Sequence, residues 1–176
     1  MRVDDRAAWL AAADAALSRV IDPLLKLLEW AIVCLAVAML SVVFVQVVLR
    51  YGFNTSFFGS EEFSRFLFTW FVFLSAALGL ERGLHFSVDV FVDLLPRSLR
   101  RAVRGVVHLV VLAVLIILIV EGTDLAVKNW RQLSSAMQVP LTIPYTAIPV
   151  ASVVMAAVTL RRMLRDQLQT RRPEAR

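Results

Sequence analysis

Between Trp30 and Leu49 the chain runs for 20 residues without a formal charge, and three more blocks behave alike: Phe66–Leu80 (15 residues), Gly105–Val120 (16 residues) and the whole of Gln132–Leu160. A helix rises about 1.5 Å per residue and the hydrocarbon core of a bilayer is about 30 Å thick, so about 20 mostly apolar residues cross it. Each block, with its flanks, meets that length. The sequence predicts four spans, at about 24–50, 61–82, 98–122 and 140–161, in a single integral membrane domain covering 1–176. The other structure that satisfies its backbone inside lipid is a closed barrel, whose strands alternate every second residue. Runs such as VVHLVVLAVLIILIV (106–120) do not alternate. The expected class is an all-α membrane protein.

Composition supports this: 59% of the 176 residues are hydrophobic and 19% charged, too apolar for a soluble domain of that size. Ala36-Val37-Ala38 has the small residues of a signal-peptide cleavage site, but the apolar run continues to Leu49 and four aspartates precede Trp30. An uncleaved anchor is expected. The net charge of +5 raises nucleic acid as a partner, yet the basic residues flank apolar segments and form no stripe with aromatics. Membrane lipid is the expected contact.

Four spans put Arg2, Arg6, Arg19 and Lys26, then Arg82, Arg97, Arg100, Arg101 and Arg104, then Arg161, Arg162, Arg165, Arg171, Arg172 and Arg176 on one side. The other side keeps Arg50, Arg65, Lys128 and Arg131. Lys and Arg accumulate in cytoplasmic segments. Both termini are therefore expected in the cytoplasm.

Ahead of the first span, residues 5–20 place Trp9, Ala13, Ala16 and Val20 on one helical face, which predicts an amphipathic interfacial helix. Asp22-Pro23 then has the chemistry of a new helix start. The crossing 51–60 holds turn-tolerant Gly52, Asn54 and Gly59 beside Phe53, Phe57 and Phe58, which favour the membrane interface. Ser60 is placed to cap the second helix, Glu61 and Glu62 to oppose its positive end, and Glu61 to pair with Arg65 one turn on. That charged knot, with Arg50 nearby, is expected to fix one end of the hairpin and to touch a partner. Phe63, Phe66, Trp70 and Phe73 form a packing stripe, and Ser75 with Gly79 a small-residue pair. Gly83 suits a C-terminal cap. Residues 87–95 fit a short strand or, preferably, a surface helix, and Pro96 separates them from the third span. That helix is expected to overshoot the membrane toward Trp130. Ser134–Gln138 is the expected break, with Pro140, Pro144 and Pro149 marking the fourth span, and 162–176 a basic tail.

Ionisable residues at membrane depth mark ion and proton pathways, and the uncharged blocks carry none at their centres. Nor is there a pair of Gly-interrupted half-helices of the kind that builds transporter sites. The lone Cys34 permits no disulfide and no cysteine metal cluster. Hydrolase and phosphate-loop signatures are missing. The chain is expected not to be an enzyme and to hold no cofactor or metal. The alternative is a haem- or quinone-associated electron-transfer subunit, for which His85 and His108 are the available ligands and a Soret band the test. A small self-sufficient exporter would need a buried carboxylate.

Three runs carry a resemblance: QVVLRYGFN (46–54), SEEFSRFLFTWFVFLSAALGL (60–80) and HFSVDVFVDLLP (85–96), followed by SSAMQVPLTIPYTAIPV (134–150). Together they resemble the small membrane (Q) subunit of tripartite ATP-independent periplasmic (TRAP) transporters. The Arg-aromatic-x-Phe-Asn signature is matched by Arg50, Tyr51, Phe53 and Asn54. The Ser-Glu-Glu opening is matched by Ser60, Glu61 and Glu62 with Arg65 and Trp70, and the His-x-x-Val-Asp step by His85, Val88 and Asp89. Phe58-Gly59 stands where the family usually has Trp. The resemblance implies a four-helix subunit of the bacterial inner membrane that braces a large membrane subunit (M), which carries the sodium and substrate sites. It also implies help in docking a periplasmic substrate-binding protein (P) for uptake of a carboxylate-bearing organic acid. Arg50, Tyr51, Asn54, Ser60, Glu61, Glu62, Arg65, Trp70, His85 and Asp89 are the implied partner-contact or structural residues.

Overall fold

The computed structural model describes residues 3–55, 58–82 and 97–171. Its elements are α1 (Val3–Gly52), α2 (Ser60–Glu81), α3 (Arg97–Lys128), the single turn α4 (Thr142–Tyr145) and α5 (Ala147–Arg171). Four stretches are long and apolar enough to cross a membrane: Asp14–Gly52, Ser60–Glu81, Ala102–Lys128 and Thr142–Leu164. No strand occurs among the described residues; the nearest thing to one is an isolated antiparallel bridge between Leu133 and Pro140. The all-α membrane architecture is as expected from the uncharged blocks.

The interfacial segment 5–20 is helical, but it is not a separate helix. α1 runs 50 residues with Pro23 inside it, so the start expected at Asp22-Pro23 does not exist. Proline removes one backbone donor, but packing on either side holds the helix together: Ile21 and Leu28 are both buried. At about 1.5 Å per residue α1 is about 75 Å long, so roughly half of it lies outside a hydrocarbon core of about 30 Å. α3 overshoots as expected, ending at Lys128.

α5 is the centre of the bundle. It packs against α1, α2 and α3, whereas among the described residues α1 and α3 make no contact. Small residues allow this: Ala147 and Ala151 are fully buried, and a Cβ on Gly122 of α3 would lie 3.0 Å from Ile148 and 3.1 Å from Pro149. The core joins Leu28 of α1, Leu74 and Ala77 of α2 and Ala151 and Val154 of α5. Trp70 and Phe73 of the predicted stripe pack on it. The fourth span begins in two pieces, because Thr146 interrupts the helix between α4 and α5. Its hydroxyl donates to the Ile143 carbonyl (2.8 Å) at the break, and Ile143 N–H donates to Pro140 O (3.2 Å), the carbonyl that Pro144 leaves without a helical donor.

Candidate functional site

Two polar assemblies sit at opposite ends of the bundle. The first is where α1 ends and α2 begins. Phe53 and Thr55 N–H both donate to Leu49 O, and Asn54 adopts a left-handed conformation (φ 50°), so the chain leaves α1 in a tight turn. Gly59, also left-handed (φ 82°), is the residue that precedes α2. Ser60 is therefore not the cap that its position suggested. It is the first helical residue, buried, and its hydroxyl accepts a hydrogen bond from the Gln46 side chain, which ties α1 to α2. Gln46 belongs to the recognised motif, but nothing in its spacing marked it as a tie.

Glu61 and Glu62 both stand in the first turn of α2, as expected. They do different things. The Glu62 carboxylate accepts the N–H groups of Ala136 (3.1 Å) and Met137 (2.8 Å), fastening the loop between α3 and α4 onto the start of α2. Glu61 is exposed, and the expected pair with Arg65 is not formed. In a helix start already facing water, such a pair is worth little. The captured loop is itself ordered: Ser134 N–H donates to Val139 O (2.8 Å), Val139 N–H to Ser134 Oγ (3.2 Å) and Leu141 N–H to Gln132 O (2.9 Å). Residues 134–138, expected only as a break, are thus a built turn closed by Gln138 in a left-handed conformation (φ 55°). Trp70 adds a bond from its indole N–H to Ile143 O (3.1 Å), linking α2 to α4.

Around this assembly the surface is aromatic and open. Tyr51 is 82% exposed and Phe58 80%, and Phe53, Trp130 and Leu133 are also exposed, as are Arg50 and Arg65. An apolar groove of about 340 Å³ lies beside it, lined by Thr123, Ala126, Val127, Trp130, Thr142, Thr146 and Pro149. The three threonine hydroxyls donate to helix carbonyls, which explains the apolar lining.

The second assembly, at the end carrying the termini, was missed from sequence. Arg161 of α5 is 3% exposed and binds Asp22 of α1 (2.5 Å) and Glu81 of α2. Arg162 donates to the Glu81 carbonyl (2.7 Å), and Arg82 pairs with Glu29 (2.6 Å). One buried guanidinium therefore holds three helices. The signal available was a basic pair at the end of the fourth apolar block and an acidic residue at the end of the second. His85, Asp89, the Gly83 cap and the 87–95 segment lie outside the described residues. Among the described residues no group of three or more His, Cys, Asp or Glu is placed to hold a metal ion.

Four membrane-length helices locked by side chains at both ends define a multi-pass membrane protein. The sequence model for the DctQ component of tripartite ATP-independent periplasmic transporters matches residues 39–169. The chain is 33% identical over 139 residues to a putative TRAP transporter small permease protein of Haemophilus influenzae, covering 76% of this chain and 84% of that one. The C4-dicarboxylate TRAP transporter small permease protein DctQ of Vibrio cholerae is 28% identical over 70% of this chain and 62% of its own length. The isethionate TRAP transporter permease protein DctMQ of Oleidesulfovibrio alaskensis is 28% identical over 61% of this chain, which is 16% of that protein. The chain belongs to the DctQ family: it is a small TRAP permease subunit, a multi-pass component of the bacterial inner membrane.

Proposed function

We propose that this chain is the non-catalytic brace of a TRAP transporter. It holds the large membrane subunit (M) in place and offers part of the surface on which a periplasmic substrate-binding protein (P) docks, for sodium-coupled uptake of a carboxylate-bearing organic acid. The observation that carries the reading is where the charge lies. The centres of the spans hold no formal charge, while the buried ionic lock and the Glu62 clasp sit at the ends and tie helices to one another. Such a bundle is built to hold its shape, and it offers no ionisable group at mid-depth for a moving ion. The aromatic rim at Tyr51 and Phe58, with Glu61, Arg50 and Arg65 exposed beside it, supports a docking role. The organic-acid class rests on the C4-dicarboxylate relative, and the partnership with M on the relative named DctMQ.

Reconstitution of this chain, the large subunit and the binding protein in vesicles tests the whole reading. Uptake is expected to need all three proteins and a sodium gradient. A Glu61→Arg variant is expected to weaken the effect of the binding protein while the membrane complex stays assembled. Uptake that is undiminished without this chain, or uptake by this chain alone, would overturn it.

A further inference from the structure

α1 and α3 both pack on α5 without meeting one another among the described residues, so their register along the bundle is read through α5. Leu28 of α1 and Ala151 of α5 share one buried cluster. Gly122 of α3 meets Ile148, three residues before Ala151, and Ala126 accepts the Thr142 hydroxyl further along, so α3 runs antiparallel to α5. Ile119 is therefore level with Ala151 and with Leu28. From that level the uncharged block of α1, Trp30–Leu49, extends from about 3 to about 31 Å toward the Glu62 clasp, at about 1.5 Å per residue. The block of α3, Gly105–Val120, runs from about 21 Å on the ionic-lock side to about 2 Å on the clasp side. The two blocks do not overlap.

Exposed side chains carry the same offset. Glu121, Asp124 and Lys128 of α3 stand level with Trp30, Val33 and Val37 of α1, and Lys26 and Arg19 of α1 stand level with Ile117 and Val110 of α3. An upright bundle would set exposed charge on one flank at the depth where the other flank faces hydrocarbon, which is costly. Inclining the bundle removes the conflict. The block midpoints differ by about 27 Å along the axis, and two interaxial distances of about 8–10 Å separate α1 from α3. Levelling them completely would take more than about 50°. The 15-residue block of α2, Phe66–Leu80, opposes this: it is about 22 Å long, and beyond about 45° it would cover only about half of a 30 Å core.

We propose that the bundle sits inclined by about 30–45° to the membrane normal, steeper than the average of about 20° for membrane helices. The surface that meets lipid is then a slanted band, made by the clasp-side half of α1 on one flank and the lock-side half of α3 on the other. The charged ends, Glu121–Lys128 of α3 and Arg19–Lys26 of α1, emerge at opposite membrane surfaces. This inference concerns the bilayer as partner and stands whether or not the chain braces a permease.

The test places single nitroxide labels on the full chain in bilayer nanodiscs, after Cys34→Ala removes the sole cysteine. Val37→Cys on α1 and Val127→Cys on α3 lie within about 2 Å of one level along the axis, as do Val20→Cys and Val110→Cys, and all four positions are exposed. Depth is read from the ratio of oxygen to nickel-chelate accessibility. In an inclined bundle the Val127 label should lie about 10 Å nearer the clasp-side surface than the Val37 label, and the Val20 label about 10 Å nearer the lock-side surface than the Val110 label. Depths equal to within about 3 Å in both pairs would overturn the proposal. Oriented solid-state NMR of the unmodified chain, labelled with nitrogen-15, gives a readout free of mutation. A mean helix tilt of about 30–45° is expected, and a tilt at or below the ordinary value of about 20° would overturn the inference as well.

Discussion

Gly59 adopts a backbone conformation that a side chain resists, and a Cβ placed there would lie 2.9 Å from Met137 Cγ. A residue with a Cβ loses roughly 1–2 kcal/mol in the left-handed region, and here it also pushes on the loop that Glu62 holds. Gly59→Ala is therefore expected to destabilise the protein by about that amount, measured by chemical unfolding in detergent. Faster exchange of the Met137 amide should accompany the loss. Gly52→Ala is the control, since nothing lies within 4 Å of its Cβ position, and it should change stability by no more than about 0.5 kcal/mol. At this scale the sequence was only partly legible. Gly59 and Asn54 were recognisable as turn residues, because left-handed backbone favours few residue types. Ser60 was assigned to the cap because serine often caps, and the bond from Gln46, 14 residues earlier, has no local signal. Which of Glu61 and Glu62 would reach the distant loop depends on the rotation of α2, which the SEE run does not reveal.

Among the elements, α5 holds the others by apolar contact along its length and by Arg161 at one end. Removing one partner of a buried ion pair leaves the remaining charge without compensation, at about 3–5 kcal/mol, while replacing the set by apolar groups of similar volume is often neutral. Arg161→Ala should therefore destabilise strongly, and Arg161→Met combined with Glu81→Met should recover most of the loss. A double-mutant cycle on thermal unfolding in micelles measures this. Additive losses would mean that the lock contributes no coupling. The spans themselves were legible, because hydrocarbon demands length and apolarity and leaves little choice of residue. Their mutual order was not. That α5 lies between α2 and α3 follows from Gly122 of α3 meeting Ile148 and Pro149 while Ala151 joins Leu74 and Ala77 of α2, and alanine and glycine are too common in membrane helices to announce it. Asp22-Pro23 misled for the opposite reason: its local chemistry favours a helix start, but packing through Ile21 and Leu28 carries the helix past it.

For the molecule as a whole, four crossings return the chain to the side on which it started, and the distribution of Lys and Arg predicts which side that is. Fifteen of the nineteen belong to the two terminal segments and the loop between the second and third spans. Carboxylates at that end neutralise two of them: Arg82 faces Glu29, and Arg161 faces Asp22 and Glu81. That does not weaken the expectation, since orientation follows the number of Lys and Arg near the span ends and carboxylates contribute little to it. A green fluorescent protein fused after Arg176 should accordingly fluoresce, and alkaline phosphatase at the same position should be inactive. Phosphatase inserted after Asn54 should be active, because the aromatic rim of Tyr51 and Phe58 then faces the periplasm, where a binding protein could reach it. An active phosphatase at the tail with an inactive one at Asn54 would invert the molecule. The rim would then face the cytoplasm, and docking of a periplasmic protein on it would be impossible even though every helix contact described above stayed the same.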